Sequence, residues 1–199
     1  MNVRRRLRRK AADLGHPYRR RRRSPLWRLL DLPLAALLIT AAIWLVGHLP
    51  PEEGTARIID GDTLILNGKR IRLKGIDAPE LHQTCRRADN RSWPCGRRAR
   101  AALRALIRGR RLSCRAMDHD RYGRTVAYCR ILTDDDRKGE DVGLALIKKG
   151  LAIARPNAPL SYRLAERRAR QARIGLWQGP FLDPATWRKV CSGKGHCPG

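Results

Sequence analysis

The dipeptide Asn67-Gly68 dictates a tight reversal of the chain. Both residue types accept the positive φ that a two-residue hairpin turn needs. Ala56 to Leu66 runs into the turn, loosely alternating and rich in Ile and Thr, and Lys69 to Ile76 leaves it. Pairing across the turn sets Thr63 opposite Arg72, so Asp62 lies within reach of the Arg72 guanidinium. On the returning strand Ile71 and Leu73 face inward, with Arg72 and Lys74 on the other face. A bulge at Gly61 would change the face to which Asp62 points, and the pattern leaves that open.

Three carboxylates and that arginine therefore converge where the paired strands end. They come from Ile59-Asp60-Gly61-Asp62-Thr63 and from Arg72-Leu73-Lys74-Gly75-Ile76-Asp77-Ala78-Pro79-Glu80. Each piece alone is ordinary: Asp-Gly is a common turn former, and a strand arginine is usually exposed. Together they suggest chemistry. Two carboxylates with a backbone carbonyl make an oxygen-only set that suits Ca²⁺, and no histidine is near enough in sequence to suggest zinc. A third carboxylate can activate water, and arginines can neutralise charge on a phosphorane-like transition state. Arg124, just after the turn at Tyr122-Gly123, is the candidate second arginine; by itself it is one surface cation among many.

Further along, Leu81 to Gly96 reads as a long polar loop. Arg97 to Ile107 has helical spacing and stops at Gly109, and Arg110 to Arg130 forms a second hairpin turning at Asp120-Arg121-Tyr122-Gly123. Asp134 to Gly139 is a charged loop. Asp141 caps a short helix ending at Gly150, Leu151 to Arg155 is extended, and Tyr162 to Ile174 is a third helix with Trp177 packed beneath. About five strands and three helices predict a mainly β, α+β architecture: a five-stranded OB-fold barrel with helical cover.

The formal charge of +26 points to a polyanionic partner, nucleic acid or an anionic membrane. Residues 1–53 hold 12 of the 44 Lys and Arg and 4 of the 18 Asp and Glu, so most of the excess lies in the remainder. Residues 1–28 are too basic to bury a core and read as a disordered cytoplasmic arm. Residues 29–49 read as a transmembrane signal-anchor helix: Leu32 to Leu49 is uncharged and mostly apolar, about 27 Å long as a helix, with Trp27 and Trp44 near its ends. A cleaved signal peptide shares this pattern, but no small-x-small site follows the span. The positive flank precedes it, which predicts a single-pass protein of the inner (plasma) membrane. Its N-terminus would be cytoplasmic and its folded part periplasmic or otherwise extracytoplasmic. Residues 50–55 then form a linker, 56–180 the barrel domain, and 181–199 a disulfide-bearing tail.

All six cysteines follow the apolar span, as expected of disulfides on the exported side. Spacing favours Cys85 with Cys95 and Cys191 with Cys197. A hairpin centred between Arg121 and Tyr122 sets Cys114 opposite Cys129. Zinc is disfavoured because no Cys-x-x-Cys pair is present.

The three blocks Ile59-Asp60-Gly61-Asp62-Thr63, Arg72 to Glu80 and Asp120-Arg121-Tyr122-Gly123-Arg124 resemble the staphylococcal nuclease-like (thermonuclease) family, over about Ala56 to Trp177. The resemblance implies an OB-fold endonuclease that is Ca²⁺-dependent, acts on DNA and RNA, and leaves 3′-phosphates. It implies that Asp62, Asp77 and the Ala78 carbonyl hold the metal, and that Glu80 activates or positions water. Arg72 and Arg124 would bind phosphate and act in catalysis, Arg124 also stabilising the leaving group, with Tyr122 near the phosphate. Two departures stand out. Ala78 replaces a threonine, which leaves a backbone carbonyl in place. The base-pocket tyrosines are absent, the chain reading Ala152-Ile153-Ala154-Arg155, so base stacking is lost and Arg155 is the candidate to substitute through phosphates.

The expectation is a membrane-anchored, monomeric Ca²⁺-dependent nuclease. The rivals are a non-catalytic nucleic-acid or polyanion-binding module, and a structural protein of the cell envelope. The five groups Asp62, Asp77, Glu80, Arg72 and Arg124 together argue against a pure binder.

Overall fold

The computed structural model describes residues 25–47, 50–135, 137–194 and 197. They fall into two units, Met1–Leu49 and Pro50–Gly199. In the first, helix α1 spans Pro25–Gly47. Its described side chains are exposed, Leu37, Leu38, Ile39 and Trp44 among them. Among the described residues no helix is long and apolar enough to cross a membrane. The span expected at 29–49 runs into residues outside the described set, as does most of the arm expected at 1–28.

The second unit opens with β1 (Glu52–Gly54) and β2 (Ala56–Ile58), so the segment expected as a linker already belongs to the sheet. Its polar Glu52-Glu53-Gly54 carries no apolar alternation, which hid it. β3 (Thr63–Leu66) and β4 (Lys69–Leu73) form the hairpin, with Thr63 facing Arg72 as expected. Asn67 and Gly68 both have positive φ, as the tight turn demands. Leu64, Leu66, Ile71 and Leu73 point into the core and are at most 2% exposed. Burying each contributes roughly 1.5–3 kcal/mol.

After β5 (Ile76–Asp77), the expected polar loop holds a small ribbon of β6 (Cys85–Arg86) and β7 (Ser92–Trp93). Strands of two residues are too short for a periodic signal. The Cys85–Cys95 disulfide closes the ribbon. Helix α2 (Cys95–Ile107) buries Cys95, Ala99, Leu103 and Ile107, one position per turn, and leaves Arg97, Arg98 and Arg104 exposed. β8 (Leu112–His119) and β9 (Thr125–Leu132) form the second hairpin. Cys114 faces Cys129 and is bonded to it. β9 also pairs in parallel with β4, and β10 (Lys138–Asp141), expected as loop, pairs with β9.

The sheet order is β1-β8-β9-β4-β3-β2. β1 and β2 are separated only by Thr55, so one stretch of chain edges both ends of the sheet and closes it into a five-stranded, OB-like barrel. Helix α3 (Val142–Lys148) is capped by the Asp141 carboxylate, which accepts from Leu144 N at 2.9 Å. β11 (Ile153–Ala154) pairs with β5. Helix α4 (Leu160–Gln171) starts two residues earlier than expected and ends before Ile174, which is exposed. Its Tyr162 hydroxyl donates to Asp141 at 2.6 Å, so one carboxylate ties the two helices together. Burial and that bond hold the Tyr162 phenol above its usual range. Trp177, in a 3₁₀ turn at Gly175–Gln178, stacks edge-on against Phe181 under the Arg170 guanidinium.

The tail is not merely a disulfide-bearing extension: Pro184–Lys194 forms helix α5. Asp183 Oδ1 accepts from Ala185 N at 2.8 Å and Thr186 N at 3.2 Å, with Pro184 in the first turn. The Cys191–Cys197 disulfide follows.

The Cys114–Cys129 bridge joins the hairpin that carries much of the barrel. Cys114→Ala/Cys129→Ala should unfold in urea with about 3 kcal/mol less stability than the oxidised protein, at unchanged fold by circular dichroism.

Candidate active site

Asp62 sits where the β2–β3 connection turns back into the barrel. Asp60 Oδ1 accepts from Asp62 N at 3.0 Å, which fixes the turn. Gly61 is packed too closely for a side chain: a Cβ there would lie 2.7 Å from the Ala78 methyl and 3.0 Å from that of Ala99 on α2. The hairpin is drawn closed by Leu73 N donating to Asp62 O at 2.8 Å. Asp77 ends β5, opposite Ile153 of β11.

One guanidinium nitrogen joins the two aspartates. Arg72 Nη2 is 2.9 Å from Asp62 Oδ2 and 2.8 Å from Asp77 Oδ1. Asp62 also accepts from Thr63 Oγ1 at 3.0 Å and from Ala78 N at 3.3 Å. Both aspartates are buried, 5% and 4% exposed. Burial pushes the Asp62 carboxyl up to about 7; Arg72 pulls it down, while Asp60 and Asp77 add to the rise.

Glu80 follows on the loop after β5. Its backbone N donates to Gln83 Oε1 at 3.1 Å, and its Oε1 accepts from Arg188 Nη1 at 2.7 Å. Arg188 also grips Asp77, with Nη2 2.8 Å from Oδ2 and Nη1 3.1 Å from Oδ1. These carboxylates, Asp77 foremost, hold the Arg188 guanidinium above its ordinary range against the opposing effect of burial.

The β8–β9 turn forms the facing wall. Asp120 Oδ1 accepts from Tyr122 N and Arg124 N, both at 3.0 Å, and Oδ2 accepts from Arg124 Nε at 2.7 Å. Burial is the largest single influence and acts to raise the Asp120 carboxyl, but the bonds from Arg124 and Tyr122 together keep it below its usual range. The effect is to hold Arg124 in one orientation. Tyr122 is 69% exposed, with the Arg121 and Arg124 guanidinium carbons 5.0 and 5.5 Å from its ring centre.

These walls enclose a cleft of about 880 Å³. Asp62, Arg72, Ala78, Glu80, Tyr122 and Arg124, each expected from the sequence, line it together, and Asp77 lies behind them on Arg72. Arg155, the candidate substitute for the missing tyrosines, lines it too. The six cysteines stand outside this lining, Cys85 and Cys95 shaping the loop that follows Glu80. Arg188 and Gln83 were not anticipated. Arg188 lies 108 residues from Glu80, and no local pattern links them.

As to a metal, no group of three or more His, Cys, Asp or Glu side chains that could hold an ion is gathered among the described residues. Two buried carboxylates face each other across one nitrogen, with the Ala78 backbone beside them. That oxygen-only set fits a hard cation completed by water rather than zinc.

A family model described as Staphylococcal nuclease homologue matches residues 70–179. The chain is 35% identical over 165 residues to the succinoglycan biosynthesis protein ExoI of Rhizobium meliloti, covering 81% of this chain and 82% of that protein. It is 34% identical over 174 residues to Protein ParB of Escherichia coli, covering 81% and 90%. It is 31% identical over 175 residues to micrococcal nuclease of Shigella flexneri, covering 79% and 94%. With more than half of its length matched by the family model, the chain belongs to the staphylococcal nuclease homologues, a family of nucleic-acid hydrolases.

Proposed function

We propose that the chain is a Ca²⁺-dependent nuclease that cleaves DNA and RNA and leaves 3′-phosphates. The observation that carries this reading is the cleft in which Arg72 bridges Asp62 and Asp77 while Glu80 and Arg124 face the same space. Asp62, Asp77 and the Ala78 carbonyl would hold Ca²⁺, which when bound supplies positive charge beside the scissile phosphate.

The residues divide the remaining work. Arg72 and Arg124 grip the non-bridging phosphate oxygens and stabilise the charge that grows on them. Glu80, 31% exposed on its side chain, takes a proton from water as the water oxygen attacks phosphorus. The P–O5′ bond breaks, Arg124 hydrogen-bonds the departing 5′-oxygen, and that oxygen leaves as the 5′-hydroxyl on taking a proton from solvent. Asp120 fixes Arg124 for that task. Arg70, Lys74 and Arg155 along the cleft steer the polyanion and hold it through its phosphates.

The N-terminal unit is read as a membrane anchor, with the nuclease domain on the extracytoplasmic side of the plasma membrane. Exposed Leu37, Leu38, Ile39 and Trp44 on α1, and the basic flank before it, support this. Six disulfide-bonded cysteines agree with an oxidising compartment. The domain is read as acting as a monomer.

Three measurements check these readings. Incubated with DNA or RNA, the wild type should cleave with Ca²⁺ and stop with chelator, and Glu80→Gln should lose about 10²–10⁴-fold in kcat while still binding nucleic acid; an unchanged rate refutes the role of Glu80, and binding without cleavage by the wild type in any divalent metal favours the non-catalytic module. Asp62 gives a pH signature. Its folded pKa lies above the ordinary 3.8, so its contribution to metal-free stability is full below 3.8 and is lost as pH rises through about 7. In chelator, the wild type should therefore lose stability relative to Asp62→Asn across that window. Cell fractionation should leave the full chain with membranes after a high-salt wash, its domain open to protease from outside the cytoplasm; release by salt would refute the anchor.

A further inference from the structure

We infer that Arg188 is a positioning residue of this active site, one that holds Glu80 and contests Asp77 with the cation. The inference rests on the nuclease reading above. It concerns a residue beyond the 70–179 stretch that the family model matches.

The geometry is specific. The Arg188 guanidinium makes three hydrogen bonds, two to the Asp77 carboxylate and one to Glu80 Oε1, all between 2.7 and 3.1 Å. A planar fork spanning the carboxylate assigned to the metal and the one assigned to water sets their spacing. Its side chain is 37% exposed, so it meets the solvent of the cleft as well as its partners.

Helix α5 is built to deliver it. Gln83, 1% exposed, accepts from Glu80 N through Oε1 and donates from Nε2 to Leu182 O at 2.7 Å. One amide thus couples the backbone of Glu80 to the segment leading into the helix. Arg86 N donates to Pro180 O at 3.1 Å, next to the Cys85–Cys95 bridge. Asp183 caps the helix, Trp187 is buried beside Arg188, and Cys191, three residues on, is held by its disulfide. A loose tail would have none of these ties.

A divalent cation and a guanidinium cannot share the Asp77 oxygens without repulsion, so the two compete. On metal binding Arg188 yields Asp77 and keeps Glu80. Removing it should therefore strengthen metal binding and weaken turnover, two effects of opposite sign that a merely structural residue would not produce.

The test uses the full oxidised chain. CaCl₂ is titrated calorimetrically without nucleic acid, and kcat and KM are measured on DNA for wild type, Arg188→Gln and Arg188→Lys. Arg188→Gln should bind Ca²⁺ at least about 5-fold more tightly. Its kcat should fall about 10²-fold with KM little changed, as expected for a displaced catalytic group. Arg188→Lys keeps the charge without the fork, so its calcium affinity should return toward wild type while kcat recovers only in part. Unchanged or weaker calcium binding in Arg188→Gln overturns the inference, as does an unchanged kcat in either variant. Should Arg188→Gln fail to fold, the Lys variant alone decides: full activity overturns the inference. A wild type that neither binds Ca²⁺ nor cleaves overturns the nuclease reading itself, and this inference with it.

Discussion

Everything in the cleft hangs on one guanidinium nitrogen placed between two buried carboxylates. Arg72 Nη2 touches both Asp62 and Asp77, and the three groups arrive from different parts of the barrel. Removing such charges from water is costly, and mutual attraction offsets the cost only when further hydrogen bonds complete the arrangement. Here Thr63 and the Ala78 amide supply them to Asp62. The barrel supplies the rest, since the β3–β4 register sets Arg72 beside the end of the strand that follows Asp62. A one-residue slip would turn Arg72 into the core and Leu73 into the cleft. The hydrophobic face of β4 and the chemistry of the site are thus opposite sides of one register.

The negative charge of the cleft and the positive charge of its rim serve different purposes. Asp60, Asp62, Asp77 and Glu80 gather at the centre, and arginines and a lysine ring them. A centre of that sign suits a cation, and a rim of that sign suits a polyanion laid over it. The chain also departs from the resemblance in a consistent direction. Where the resemblance implies tyrosines, it has Ala152 to Arg155, and Arg155 lines the cleft.

What the sequence disclosed was what local rules govern. Asn67-Gly68 marked the first hairpin, Asp120-Arg121-Tyr122-Gly123 the second and with it the facing cysteines, and Asp141 the start of α3. Asp62, Arg72 and Arg124 lie near those turns, while Glu80 and the roles of all four came from the three blocks that resemble the family pattern. The missed pieces have physical reasons. β1 is polar, β6 and β7 are two residues long, and neither offers a period to read. The start of α5 was written locally, in Asp183-Pro184, but a short polar stretch ending in cysteines reads equally well as an extension. That Arg188 reaches Glu80 is a tertiary fact with no local trace.

The strand that closes the barrel comes first in the domain, while the arginine that reaches Asp77 and Glu80 comes near its end. A chain made from its N-terminus onward therefore holds Asp62, Arg72, Asp77 and Glu80 before the arginine that ties Asp77 to Glu80 has been added. Closure of β1 on β8 waits for residue 112 and beyond, and the grip on Glu80 waits for residue 188. Long-range closures of this kind are slow to form. In a hydrolase of nucleic acids assembled in this order, closure of the barrel comes first and the fastening of Glu80 to Arg188 comes after it.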